Sequence, residues 1–129
     1  MIHVCFALRD ETGKGSKFAG TAMLSMFANN SKSEASITVH ILHDNTLTDE
    51  NRDKFSYLAG RYGQLMKFYN VETRCATKLA EIKNRFPKID KARFNYAAFY
   101  KFLIPQVLSK DIAKAIYLET NTLVNLDIN

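Results

Sequence analysis

The sequence predicts an α/β domain built on a largely parallel sheet flanked by helices. Short apolar runs alternate along the chain with segments of helical periodicity, and this alternation is typical of βαβ units. The first apolar run shows no polar alternation, which indicates a strand that is buried on both faces. At 129 residues the chain can bury one hydrophobic core but is too short for two ordinary domains. Residues 1–129 are therefore predicted to form a single domain.

The first part of the chain contains two predicted strands and one predicted helix. The apolar run IHVCFAL, residues 2–8, has the length and β-branched content of a buried strand. The segment DETGKGSK, residues 10–17, is predicted to be a loop because of its glycines and polar residues. A helix with one apolar face is predicted in residues 18–30, and a second strand in residues 35–44, ASITVHILHD.

The clearest helix lies in residues 46–63, TLTDENRDKFSYLAGRYG. Thr48 is a suitable N-cap, and two acidic residues follow it where the helix dipole favours negative charge. Apolar residues then recur at helical spacing, and Gly63 is placed to end the helix.

Three further apolar segments are candidate strands. QLMKFYNV, residues 64–71, is predicted as the third strand and KAIYLETN, residues 114–121, as the fourth. TLVNLDI, residues 122–128, is the candidate for a fifth strand. These alternate with helical segments, as a parallel sheet requires.

Two weaker helical segments precede the fourth strand. Residues 75–86 are predicted to form a helix that stops at Pro87. Residues 95–108 carry aromatic and apolar side chains at helical spacing before Pro105.

Composition and charge exclude several classes of protein. No apolar stretch reaches the roughly 18 residues that span a bilayer, and the N-terminus does not resemble a signal peptide. Cys5 and Cys75 have no framework of spacings, so we expect inert buried thiols in a cytoplasmic protein. The net charge of +5 mildly favours anionic ligands. The densest basic stretch, residues 78–93, contains no nucleic-acid-binding motif, and no nucleic-acid partner is predicted.

Familiar phosphate and metal motifs are incomplete. The segment GKGSKFAG lacks the lysine of a P-loop and has Phe18 where a dinucleotide-binding loop has its third glycine. A loop leading into a helix is the favoured interpretation, although its amides could still meet a phosphate. The three histidines, His3, His40 and His43, do not have the spacing of a metal site.

Three predicted strands end in polar residues. Ligands of open parallel sheets bind beyond the carboxyl ends of the strands, and these ends read Arg9-Asp10-Glu11, His43-Asp44-Asn45 and Glu119-Thr120-Asn121. Polar residues also end strands that bind nothing, because the chain must return to water. Position alone therefore does not decide whether any of the three is a site.

Four segments together resemble the family 8 glycosyltransferases, the group that includes glycogenin. The most specific is ITVHILHDNTLTDENRDKFSYLAGRYGQLMKFYNVE, and IHVCFAL, GTAMLSMFANN and YKFLIPQVLSKDIAKAIYLETNTLVNLDIN match in order and spacing. The resemblance covers essentially the whole chain. It implies a Rossmann-like fold of the GT-A type, truncated to the nucleotide-sugar-binding half. It also implies transfer of a hexose from a UDP-sugar to an acceptor hydroxyl with retention of configuration.

The resemblance further implies a metal site at the end of the fourth strand. Family members carry Asp-x-Asp there, and the two carboxylates hold a divalent cation that bridges the donor diphosphate. This sequence has Glu119, Thr120 and Asn121 at those positions. One carboxylate is kept and one is replaced by an amide oxygen, so Mn²⁺ or Mg²⁺ binding is expected to be altered.

The same resemblance assigns the nucleotide contacts. The end of the first strand, Ala7, Leu8 and Asp10, would lie near the uracil base, where the family usually has Asp-Asp-Asn. Lys101 matches a family arginine near the diphosphate. Lysine keeps the positive charge but loses the bidentate geometry.

The acceptor pocket and the metal-binding histidine of the family have no counterpart in this sequence. One alternative is therefore a non-catalytic or truncated nucleotide-sugar-binding module, completed by a partner chain or by a homo-oligomer. Another is an unrelated small α/β binding domain that shares only the architecture.

Overall fold

The computed structural model describes residues 1–30, 34–89 and 96–128. The strands are β1 (Ile2–Leu8), β2 (Ile37–His43), β3 (Leu65–Asn70) and β4 (Ile116–Tyr117). The α-helices are α1 (Lys14–Asn29), α2 (Asp49–Arg61), α3 (Val71–Arg74), α4 (Ala76–Arg85), α5 (Ala97–Tyr100) and α6 (Ile104–Val107), and Lys101–Leu103 is a 3-10 turn. Part of the basic stretch 78–93 and the start of the predicted helix 95–108 lie outside the described residues. Within the described ranges, no helix has both the length and the apolar character needed to cross a membrane.

The four strands form one parallel sheet in the order β3-β2-β1-β4. β1 pairs with β2 along its whole length, from Ile2 opposite Ile37 to Leu8 opposite His43. β4 pairs with the other edge of β1, with Tyr117 opposite Cys5. The predicted α/β class with a parallel sheet is confirmed.

Helices cover both faces of the sheet. On one face, Val4, Phe6 and Leu8 of β1 pack with side chains of α1 and α2. On the other face, Leu42 and Tyr69 pack with side chains from α3 to α6. All seven residues of β2 are buried, as expected for a central strand covered on both faces.

The first helix begins inside the predicted loop. Residues 10–17 were expected to be a loop, but α1 starts at Lys14. The carboxylate of Asp10 accepts hydrogen bonds from the amides of Gly15 and Ser16, both at 3.1 Å, and thereby caps the first turn. Gly13, with φ of 85°, lets the chain enter the helix. The loop prediction is wrong for residues 14–17 because Asp10 caps amides five and six residues further along the chain, whereas an ordinary N-cap side chain bonds two or three residues ahead.

The predicted boundaries of α2 are confirmed at both ends. The Thr48 hydroxyl accepts a hydrogen bond from the amide of Asn51 at 3.2 Å. Gly63 follows the helix with φ of 66°, a left-handed conformation that favours glycine.

The predicted helix 95–108 is broken into short pieces. α5, the 3-10 turn and α6 follow one another, and Pro105 lies in the first turn of α6. Proline is tolerated there because the first helical amides have no partner within the helix. Pro105 therefore stands at the start of a helix and not at the end of one, whereas α4 ends at Arg85, just before Pro87, as expected.

The end of the chain differs from its prediction. Only Ile116 and Tyr117 of residues 114–121 pair in the sheet, and residues 122–128 form no strand. The main chain of Val124 instead bonds to side chains of α1: its amide donates to the Ser25 hydroxyl at 2.9 Å, and its carbonyl accepts from Asn29 at 2.7 Å. These bonds hold the segment against α1 and replace strand pairing.

Candidate functional site

The strand order reverses between β1 and β4, so the crevice expected at such a point lies at the carboxyl ends of these two strands. The chain forms β1, β2 and β3 in one direction across the sheet and then returns to the opposite side of β1 for β4. Open α/β sheets bind ligands at the carboxyl ends of the strands where the order reverses in this way. The residues after Leu8 and after Tyr117 therefore border the candidate site.

Lys101 and Glu119 form an ion pair at this crevice. The Lys101 ammonium lies 3.7 Å from the Glu119 carboxylate, and both side chains are partly exposed, at 39% and 58%. The same ammonium lies 5.6 Å from the ring centre of Tyr117. Burial raises the pKa of Tyr117, and the charge of Glu119 raises it further, so the hydroxyl keeps its proton. These residues form a corner of the sheet, the Lys101–Glu119 corner, which carries one accessible cation, one accessible anion and the neutral phenol of Tyr117.

Glu119 opens a tight turn. Its carbonyl accepts hydrogen bonds from the amide of Thr122 at 3.3 Å and from the Thr122 hydroxyl at 2.8 Å. Thr120 and Asn121 occupy the middle of this turn, and the Asn121 side chain is exposed. The segment is a strand-to-turn exit in its backbone, and it also brings a carboxylate to the sheet edge.

The residues at the end of β1 are held by the fold. The side chain of Leu8 is 2% exposed and packs in the core beneath α1, while Ala7 contacts the core on the opposite face. Asp10 is 6% exposed, and its carboxylate caps α1. Its amide donates to the Thr46 hydroxyl at 2.6 Å. The N-terminus of α1 thus already binds a carboxylate, which occupies two of the amides that the glycine-rich segment could offer to a phosphate.

The carboxyl end of β2 is tied to the helices on the second face. Asp44, 2% exposed, accepts a hydrogen bond from the Tyr100 hydroxyl at 2.8 Å. Burial raises the pKa of Tyr100, and the hydrogen bond to Asp44 raises it further. Tyr100 directly precedes Lys101, so this bond fixes the position from which the Lys101 side chain reaches the crevice.

A model of glycosyl transferase family 8 matches residues 12–129. The chain belongs to glycosyl transferase family 8. The match covers α1 and everything after it, including the Lys101–Glu119 corner. No curated protein matches the chain.

Two solved glycosyltransferase structures resemble this family 8 chain in fold. The apo structure of the WbbM bifunctional glycosyltransferase superposes with a TM-score of 0.70 at 14% identity, over 98% of this chain and 20% of that one. The apo structure of mouse xyloside xylosyltransferase 1 superposes with a TM-score of 0.64 at 18% identity, over 98% of this chain and 44% of that one. The chain thus spans less than half the length of either protein.

Sequence reasoning missed two interactions of this family 8 domain. The Asp44–Tyr100 bond joins residues 56 positions apart, and no local pattern indicates it. On the second face of the sheet, His40 contacts His3 at 3.0 Å and the Tyr69 hydroxyl at 2.9 Å. A prediction of the pairing register of β1, β2 and β3 would have indicated the contacts of His40 with His3 and Tyr69.

Proposed function

We propose that this family 8 domain binds a UDP-sugar at the carboxyl ends of β1 and β4 and transfers its hexose to an acceptor hydroxyl with retention. The observation that supports this most is the Lys101–Glu119 pair, 3.7 Å apart and partly exposed, at the point where the strand order reverses. The family match supports a nucleotide-sugar donor as the ligand class.

Lys101 is the residue we propose for the diphosphate. Its ammonium is partly exposed and is held near Glu119 and the Tyr117 ring. A diphosphate oxygen at this position would receive a charge-assisted hydrogen bond. The positive charge would also stabilise the UDP leaving group as the bond to the sugar breaks.

Glu119 and Asn121 are the residues we propose for a divalent cation. Magnesium sites commonly combine one or two carboxylates with substrate phosphates and water. Glu119 offers one exposed carboxylate and Asn121 one exposed amide oxygen, so the donor set fits such a site but with one charge fewer than two aspartates. When bound, Mn²⁺ or Mg²⁺ would neutralise charge on the departing diphosphate. Lys101 supplies part of the same neutralisation without a metal.

At the base end of the donor, we propose contacts with the end of β1. The side chains of Ala7 and Leu8 face the helices, so a base would meet their main chain. Asp10 would act by holding the edge in place, since its carboxylate and amide already bond to α1 and Thr46.

The second candidate is a nucleotide-sugar-binding module without transfer activity. The observation that favours it is that Glu119, the carboxylate of the turn, is already paired with Lys101. Such a module could act with a partner chain or as a homo-oligomer.

Calorimetric titration tests these proposals. We would titrate UDP, UDP-glucose and UDP-galactose with and without manganese, and use ADP as the control ligand. Binding that prefers uridine would support the donor site, and strengthening by manganese would support the roles of Glu119 and Asn121. UDP binding of the same affinity with and without manganese would favour the binding module without transfer activity. A lack of preference for UDP over ADP would contradict the donor proposal.

A further inference from the structure

A cavity lies at the carboxyl ends of β2 and β3, on the same edge of the sheet as the proposed donor site. Its volume is about 410 Å³, which is within the range of small-molecule sites. Its lining includes Asn45, Arg52, Asn70 and Arg74, and none of these belongs to the Lys101–Glu119 corner.

Two arginines reach this cavity from opposite faces of the sheet. The Arg52 guanidinium lies 4.7 Å from the ring centre of Phe68, and the Arg74 guanidinium lies 5.1 Å from that of Tyr69. Phe68 and Tyr69 are neighbours in β3, so their rings are on opposite faces. Stacking on the rings orients both guanidinium groups. Within the described residues neither group forms an ion pair or a hydrogen bond.

The amide side chains of the cavity have donors to spare. Asn70 donates to the side-chain oxygen of Asn45 at 2.8 Å, and its own side-chain oxygen accepts from the amide of Glu72 at 3.0 Å. Both amide oxygens are therefore used, whereas N–H groups of Asn45 and Asn70 remain for a ligand. The free hydrogen-bonding groups of the cavity are therefore mainly donors, namely these N–H groups and the two guanidinium groups.

Two acidic residues also line the cavity, and they differ in their effect. Asp44 is buried, and its carboxylate already accepts hydrogen bonds from Tyr100 and Thr46. Asp49 is exposed in the first turn of α2, where the helix dipole partly offsets its charge. Asp49 is thus the group that would oppose an anion here.

We propose that this cavity binds the oxyanion of a small ligand, a carboxylate or a phosphate, between Arg52 and Arg74. Guanidinium groups match the planar or trigonal oxygens of such anions and form charge-assisted hydrogen bonds. The freed amide donors of Asn45 and Asn70 complete the contact. The cavity shares neither Lys101 nor Glu119 with the proposed donor site, so anion binding here can be measured separately from the proposed transferase activity.

Amide NMR spectra recorded during titration with glucose 6-phosphate, glucuronate and glucose test this proposal. We expect saturable shifts at Asn45, Asn70 and Thr73 with the phosphate, the carboxylate or both, and none with glucose. A response to one anionic sugar alone would identify the source of the oxyanion. No response to either anion, equal binding of glucose, or shifts confined to the Lys101–Glu119 corner would overturn the proposal.

Substitutions that remove a single charge test whether the anion binds between the two arginines. Arg52→Gln and Arg74→Gln should each weaken binding by about tenfold, the loss expected for one charge-assisted contact. Arg61→Gln, an exposed arginine at the end of α2 and outside the cavity, is the matched control and should leave binding unchanged. Asp49→Asn should tighten binding because it removes the opposing charge. Unchanged affinity in both arginine variants, or weaker binding in Asp49→Asn, would contradict an oxyanion site.

Discussion

At the scale of single residues, the Lys101 ammonium is the group on which the proposed donor binding depends most. It lies 3.7 Å from Glu119, and the preceding residue, Tyr100, is fixed by its hydrogen bond to the buried Asp44. The sequence indicates Lys101 through its resemblance to the family. It gives no sign of the Tyr100–Asp44 bond, because that contact exists only once α5 packs on the sheet.

Replacing Lys101 should weaken UDP binding. Lys101→Ala removes a charge-assisted contact, and we expect the affinity to fall by about tenfold or more. Lys101→Arg should restore it, because a guanidinium can contact the diphosphate through two N–H groups. Lys110→Ala, an exposed lysine, is the control. Calorimetry with UDP measures all three variants, and wild-type affinity in Lys101→Ala would show that the diphosphate does not lie at this corner.

His40 should make stability depend on pH. Its pKa is lowered from 6.5 to about 4, mainly by burial and also by the charges of His3 and Lys67. The unfolded chain therefore takes up this proton at a higher pH than the folded protein. The resulting stability is fully present above about pH 6.5 and is lost as the pH falls towards 4. Urea unfolding should show a loss of about 2 kcal/mol between pH 8 and pH 5 from this group.

Two measurements isolate the effect of His40. His40→Gln should flatten the pH dependence of the unfolding free energy between pH 8 and pH 5. NMR titration of the His40 ring in the wild-type protein should give a midpoint well below that of an exposed histidine. An ordinary midpoint near 6.5 would rule out the buried neutral imidazole.

At the scale of elements, the sequence predicted the two ends of α2, which are set by contacts between residues close together in the chain. As expected from the sequence, α2 begins after Thr48, whose hydroxyl caps it, and ends before Gly63. The start of α1 depends on Asp10, whose carboxylate bonds to amides five and six residues later, beyond the reach of an ordinary N-cap. The path of Val124 depends on side chains of α1 nearly 100 positions away, and it could not be predicted because these partners are brought together only by the fold.

Two glycines in or near α2 should respond to alanine in opposite directions. Gly63 has φ of 66°, whereas Gly60 lies inside the helix, and an added Cβ would meet nothing within 4 Å at either position. Gly63→Ala should therefore lower the free energy of unfolding by about 1 kcal/mol through backbone strain alone. Gly60→Ala should raise the free energy of unfolding by roughly 0.5–1 kcal/mol, because alanine has the higher helix propensity. Urea unfolding of both variants measures this, and the same sign of change in the two would contradict the left-handed turn after α2.

At the scale of the whole molecule, the order β3-β2-β1-β4 places the two proposed sites on one edge of the sheet. The crevice between β1 and β4 carries the Lys101–Glu119 pair, and the cavity at β2 and β3 carries Arg52 and Arg74. The sequence predicted the parallel sheet and the polar strand ends. It could not predict which ends share a site, because that depends on where β4 pairs.

The structure of the protein crystallised with UDP and manganese tests the proposed donor site most directly. We expect the diphosphate at the carboxyl ends of β1 and β4, in contact with Lys101, and manganese between the diphosphate and Glu119. UDP bound between Arg52 and Arg74 instead, or a crevice that stays empty at saturating UDP, would contradict donor binding at the β1–β4 corner.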